Sequence, residues 1–320
     1  MKRILAILSV LLLITSCDDG NLTVDVIDFS EGPIQKCSLK EVLYKVKDSE
    51  MLVLEIPATT FTENQTLDSA PIEVAINSTN KVTYRKYNGT VTQNNICPTF
   101  PDGTPNVTEQ WLATDGTIQI KATAIKTTNA TTNATNITGY NYYIILKNVT
   151  FEKPSGPQVY ETFVFGNYTT TISPLALNFD ADADKSTCAA SDNRIFNFSG
   201  SEAFIFDSTN FSTLFANAVT TTPRTALISS ANKLTYKLFN NTITNAYFCA
   251  TTAPATPLLL QEWNAVNGVE ATSGIIEVTT TTLGTSFIHT IHLKRVTLKK
   301  GNSDFSLGDD YIFGSFVTTP

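Results

Sequence analysis

The stretch Asn80-Lys81-Val82-Thr83-Tyr84-Arg85-Lys86-Tyr87-Asn88 returns 152 positions later as Asn232-Lys233-Leu234-Thr235-Tyr236-Lys237-Leu238-Phe239-Asn240. The same interval carries Cys97 onto Cys249 and Trp111 onto Trp263, each Trp next to a Glu and a Gln (Glu109, Gln110; Gln261, Glu262). Upstream, Phe29 matches Phe179 and Cys37 matches Cys188. Downstream, Leu146, Lys147, Val149 and Thr150 match Leu293, Lys294, Val296 and Thr297. Phe163-Val164-Phe165-Gly166 likewise returns as Tyr311-Ile312-Phe313-Gly314. The interval drifts only between 147 and about 158, as short loop insertions would make it drift. Solenoid repeats run about 20 to 50 residues, so a period this long marks a duplicated domain. Two homologous domains are expected, at 22–172 and 173–320, joined through the short polar run Thr169 to Pro174 and standing like beads on a string.

Working outward from the repeat, the apolar pattern has a period of two. Val82, Tyr84 and Lys86 interleave with Thr83, Arg85 and Tyr87; Ile118, Ile120, Ala122 and Ala124 alternate, as do Tyr142, Ile144 and Leu146. That is the spacing of half-buried strands, and Asn88-Gly89 and Asp115-Gly116 supply turns between them. The fold class predicted is all-β: two tandem β-sandwich (Ig-like) domains, each of about 145 residues and therefore long enough to bury its own core.

Composition limits what such domains do. The chain has 320 residues, 42% of them hydrophobic and 16% charged, which describes packed globular protein rather than disorder. Lys and Arg total 22 against 29 for Asp and Glu, a net charge of -7, so a nucleic-acid partner is not expected. Two His in the whole chain leave little for acid–base or metal chemistry.

The N-terminus carries an address. Lys2 and Arg3 precede an apolar run, Ile4 to Ile14, too short to span about 30 Å of hydrocarbon as a helix, and then come Thr15, Ser16 and Cys17. Leu13-Ile14-Thr15-Ser16-Cys17 resembles the lipobox of bacterial lipoproteins. The resemblance implies a signal peptide over 1–16, cleavage after Ser16 and acylation of Cys17, palmitate included, followed by an acidic tether over 17–21. Each buried methylene of an acyl chain contributes about 0.8 kcal/mol, so several chains on one Cys anchor stably. Cys17-Asp18-Asp19-Gly20 is similar to the start of uncharacterised surface lipoproteins of Bacteroidota, which implies an outer-membrane, outward-facing location. A periplasm-facing location is the alternative. That family brings no activity with it.

With Cys17 spent on lipid, four Cys remain, spaced 60 apart (Cys37, Cys97) and 61 apart (Cys188, Cys249). In an oxidising compartment the parsimonious reading is one disulfide per copy. His289 and His292 differ in parity along a strand and so cannot share a metal. Asp180, Asp182 and Asp184 alternate like the start of a calcium loop, but Lys185 and Ser191 stand where an EF-hand needs Gly and Glu. No nucleophile elbow, phosphate loop or dinucleotide fingerprint occurs. Asp68-Ser69-Ala70 and Asp207-Ser208-Thr209 resemble the short O-glycosylation motif of Bacteroidota surface proteins. The Asn/Thr-rich run Thr127 to Thr138 reads as a long solvated hairpin tip, and its sequons at Asn129, Asn133 and Asn136 as composition.

Trp111 and Trp263 are left as the candidate ligand platform. Exposed, they would stack against sugar rings; buried, they would anchor each core. The functional expectation is a non-enzymatic, membrane-anchored lipoprotein presenting a binding or structural surface, held to the membrane through Cys17. A carbohydrate-binding lipoprotein of a polysaccharide-uptake system and a fimbrial or adhesin subunit are the alternatives. Partners are the membrane and a glycan or protein ligand; no cofactor or metal is expected.

Overall fold

The computed structural model describes residues 26–186, 188, 193–250, 252 and 254–319; the lipobox and Cys17 lie outside the described residues. The chain is all-β, with 53% strand and 5% helix. The first half forms β1 (Gln35–Lys36), β2 (Val42–Lys47), β3 (Glu50–Glu55), β4 (Ile72–Ala75), β5 (Lys81–Tyr87), β6 (Val107–Thr128), β7 (Thr135–Glu152) and β8 (Gln158–Thr171). The second forms β9 (Asp184–Lys185), β10 (Arg194–Ser199), β11 (Glu202–Ser208), β12 (Arg224–Leu227), β13 (Asn232–Phe239), β14 (Leu259–Ala265), β15 (Ile275–Leu283), β16 (Ser286–Lys294), β17 (Thr297–Lys300), β18 (Ser303–Ser306) and β19 (Tyr311–Thr318).

Pairing repeats with the sequence. The first half is one antiparallel sheet, β1-β2-β3-β5-β6-β7-β8, with β4 added to the far part of β6. The second half has the same order cut in two: β9-β10-β11-β13-β14-β17-β18, and β12-β15-β16-β19. Thus β14 and β15 together correspond to β6, β16 and β17 to β7, and β18 and β19 to β8. Nearly every neighbour is the next strand along the chain, a meander, and the Greek-key exchange of an immunoglobulin sandwich is not among these pairings.

The cut falls where the long strands bend. β6 changes register on either side of Asp115, and Gly116 there has φ +121°, with a Cβ on it 2.8 Å from Val149 Cα. Only glycine fits so close an approach at that dihedral. Opposite it, Asn148 has φ 49°, and its counterpart Arg295 has φ 48°. The Gly116 carbonyl accepts from Ile76 N at 2.9 Å, and Gly274, its counterpart, accepts from Ile228 N at 2.8 Å. In the second half the two sheets meet face to face, with Phe204 on one and Phe313 on the other, ring centroids 5.8 Å apart.

Alternation alone misjudges one set of strands. β2 and β3 bury four consecutive residues each, Val42 to Lys45 and Met51 to Leu54, because both faces of the sheet are covered. One face meets the main core. On the other, Tyr44, Met51 and Tyr87 pack under Val91 and Ile96 of the β5–β6 connection, which Cys37–Cys97 ties down with Cα atoms 5.1 Å apart. The second half repeats this: Phe196, Ala203 and Phe239 lie under Ile243 and Phe248, tied by Cys188–Cys249 at 5.0 Å.

The halves are docked rather than strung. One core cluster runs through both, and Ser303, fully buried, meets Tyr140 OH at 3.1 Å and accepts from Gln65 N at 2.9 Å. Asn64 Oδ1 accepts from the amides of Asn302 and Ser303 at 3.0 and 3.3 Å. The Asn/Thr-rich stretch is the β6–β7 hairpin tip, exposed from Thr127 to Asn133 as expected, and it also takes part in this junction. Asp309 N donates to Thr132 O (2.8 Å), Ser306 N to Thr135 Oγ1 (2.7 Å), and Lys126 pairs with Asp304 at 2.7 Å. Its side chains are polar because their partners are backbone amides and loop carboxylates, which composition cannot distinguish from water.

Two stability outcomes follow from the packing. Asn64→Ala leaves two junction amides without their acceptor and lowers stability by about 1–3 kcal/mol in calorimetry. Tyr87 OH is buried with no hydrogen-bond partner, whereas its counterpart is Phe239, so Tyr87→Phe raises stability by about 1 kcal/mol in urea unfolding.

Candidate binding surfaces

Trp111 and Trp263 are 2% and 3% exposed, and this corrects their reading as a ligand platform: they are core anchors. Each lies in the same small constellation. Trp111 Nε1 donates to Glu109 Oε1 at 2.7 Å, and Trp263 Nε1 donates to Gln261 Oε1 at 2.9 Å. Lys153 Nζ sits 4.8 Å from the Trp111 ring centre and Lys300 Nζ 5.0 Å from that of Trp263, closing the face a sugar would need. Next to them, Tyr84 OH donates to Glu50 Oε1 (2.7 Å), and Tyr236 OH to Glu202 Oε1 (2.6 Å). Burial pushes the Tyr236 phenol well above its ordinary range, with the Glu202 carboxylate adding to the effect, so it remains a donor. These side chains repeat because each sheet needs its polar edge satisfied within an apolar core.

The other sequence candidates separate. His289 is fully buried, with Nδ1 2.8 Å from Thr280 Oγ1 and Nε2 2.9 Å from Thr318 Oγ1, while His292 sits 2.9 Å from Asp310. Glu262 pairs with Lys237 at 3.3 Å. Asp180, Asp182 and Asp184 are exposed, and among the described residues no three His, Cys, Asp or Glu side chains gather as metal ligands. Of the two O-glycosylation-like motifs, Ser69 is exposed on a turn. Ser208 is buried and donates to Asn232 Oδ1 at 2.8 Å, so its hydroxyl is not presented at the surface.

An open groove arises where the halves differ. In the second half, the segment before β9 lies along β19: Ser315 N donates to Ala181 O and Ala183 N to Ser315 O, both at 2.7 Å, as a parallel bridge. Asn197, on β10, donates to Asp180 O at 2.8 Å and Phe313 O at 3.1 Å, fixing that segment. In the first half, Ile34 takes the place of Ala183, and no backbone hydrogen bond joins the described residues 30–34 to β8. A groove of about 750 Å³ opens there, between Ser30 to Ile34 and the edge of β8 at Val164 to Asn167. Lys45, in the place of Asn197, lines it at 4% exposure and donates to Phe29 O. Burial pulls its pKa down. Asp28, at the rim, is held ionised by Ser30 and by Lys47 at 3.2 Å.

Lys45 carries no signal of burial in the sequence, since Lys45 and Lys47 alternate along Val42–Lys47 as on a strand's solvent face. The repeated Gly166 and Gly314 were the available signal: both have positive φ, at +127° and +139°, beside the covering segment.

Comparison with known proteins finds no matching family model, no curated relative and no similar solved structure.

Burial, with Arg224 nearby, lowers His289 from the ordinary 6.5 to about 4. The folded pKa lies below the unfolded one, so this contribution is complete above pH 6.5 and is lost as the pH falls toward 4. Urea unfolding at pH 7.5 and 4.5 is expected to show a loss of roughly 2–3 kcal/mol that His289→Gln lacks.

Proposed function

We infer that the chain is a non-enzymatic, lipid-anchored lipoprotein whose two β-sandwich units present a binding or structural surface outside the cytoplasm. The observation that carries this is Leu13-Ile14-Thr15-Ser16-Cys17, directly behind a charged start and a short apolar run. Two supports are independent of it. The disulfides Cys37–Cys97 and Cys188–Cys249 suit an oxidising compartment. The duplicated, docked architecture with its open groove suits presentation of a surface. The units are assigned to 22–172 and 173–320, which share one main core and each carry a second, disulfide-tied core outside it.

The carbohydrate-binding alternative loses its motivation with both Trp side chains buried. The fimbrial or adhesin alternative gains from the open edge of β8, because a sheet edge is where a partner strand adds.

Metabolic labelling with a clickable palmitate, together with protease treatment of intact cells, tests the anchor. The wild type takes up label and is shaved from the surface, whereas Cys17→Ala takes up none and appears in soluble form. Labelling that persists in Cys17→Ala overturns the anchor. A wild-type chain protected until the outer membrane is opened overturns the outward orientation.

A further inference from the structure

We propose that the groove on the first half docks an extended peptide strand from a partner chain, one alternating small residues with carboxylates, laid parallel to β8. This deepens the reading of the domains as a binding surface and rests on it. The template is within the molecule. Along β19, Asn178-Phe179-Asp180-Ala181-Asp182-Ala183-Asp184-Lys185 is such a strand, with Ala183 buried against Gly314 and the Asp side chains exposed.

The edge of β8 is prepared in the same way. Ser315 sits opposite Thr290 in the β16–β19 ladder, and both its backbone groups turn outward, the amide donating to Ala181 O and the carbonyl accepting from Ala183 N. Asn167 sits opposite Tyr143 at the matching register, next to the same bulge. In an antiparallel ladder, residues whose N–H and C=O turn outward alternate with those that pair inward. Asn167 therefore presents a donor and an acceptor to the groove.

Gly166 fixes the size of what lies over it. A Cβ built on Gly314 stands 3.0 Å from Ala183 Cβ, so only a small side chain passes; over Gly166 the nearest atom is Ile34 Cδ1, at 3.5 Å. Ile34 is too bulky to bring its own backbone as close as Ala183 does, and the edge stays open to another strand.

Lys45 supplies a further donor to the strand, on the face where the small residues lie. Its ammonium carries three donors, one of which reaches Phe29 O, and the group is almost fully buried at the groove wall. A backbone carbonyl of the incoming strand gives those remaining donors an acceptor, as Asp180 O does for Asn197 at the same place in the second half, while Asp28 is already engaged by Ser30 and Lys47.

The test uses the full chain in detergent and a synthetic peptide with the sequence of residues 178–185. Hydrogen exchange is followed with and without peptide, and affinity by calorimetry. At saturation, exchange in the Phe163–Thr170 segment is expected to slow at least tenfold. Asn167→Pro, which removes the outward N–H from an edge position, abolishes binding, and Lys45→Met weakens it at least tenfold with the fold intact by circular dichroism. A peptide with Leu at the two Ala positions does not bind.

No slowing at millimolar peptide overturns the proposal, as does unchanged affinity in both variants. Slowing confined to Tyr311–Thr318 overturns it too, since the peptide is then exchanging with the chain's own segment. A dimer whose β8 edge is protected without peptide overturns it in favour of a second copy as occupant. Failure here with Cys17 labelled leaves the anchor reading standing; binding here with Cys17 unlabelled removes only the anchor.

Discussion

A sheet that is apolar on both faces has to be covered twice, and each half of this protein is organised around that requirement. Strands β2, β3 and β5, and their counterparts β10, β11 and β13, bury side chains pointing both ways. One face is covered by the rest of the strand meander. The other is covered by the connection carrying Val91 and Ile96, or Ile243 and Phe248, which has little regular structure of its own and is held in place by a disulfide. A connection with so few backbone pairings would otherwise pay a large ordering entropy for the area it buries. The cysteines thus belong to the packing of the outer face more than to the main core.

Within that shared frame the copies have diverged at positions where one atom changes what a neighbour is able to do. Asn197 spends its amide on two carbonyls and fixes a covering segment, whereas Lys45 at the same place reaches one carbonyl and leaves an edge open. Ala183 admits a close backbone and Ile34 does not. The long β6 and β7 of the first half extend into a tip that grips the second, and the shorter second copy has nothing equivalent to extend. The two halves share one pairing order, and these few differences leave a groove on one and a covered edge on the other.

The repeat was legible because Tyr84 and Tyr236, or Trp111 and Trp263, face the same packing problem twice, and identical problems keep similar residues at a constant interval. The all-β class was legible from alternation, and the pairing of Cys was readable from matched spacing. Three things were not. The meander order leaves no trace in periodicity, since a strand looks the same whichever neighbour it pairs with. The Asn/Thr tip gives the same composition whether its hydrogen bonds go to water or to Ser306 and Asp309. The groove depends on a backbone offset set by the size of one side chain, and on a Lys whose burial is decided by segments far away in sequence.

The disulfides also decide how the chain answers a pull. Cys37–Cys97 and Cys188–Cys249 join residues 60 and 61 positions apart and enclose β2 to β5 of one half and β10 to β13 of the other. Tension travelling along the backbone passes through the sulfur bridge and bypasses those strands. At about 3.5 Å per extended residue, each bridge withholds on the order of 200 Å of contour. Under load the long strands β6 to β8, and β14 to β19, are the parts that lengthen, while the disulfide-tied layer of each half travels as an inextensible block.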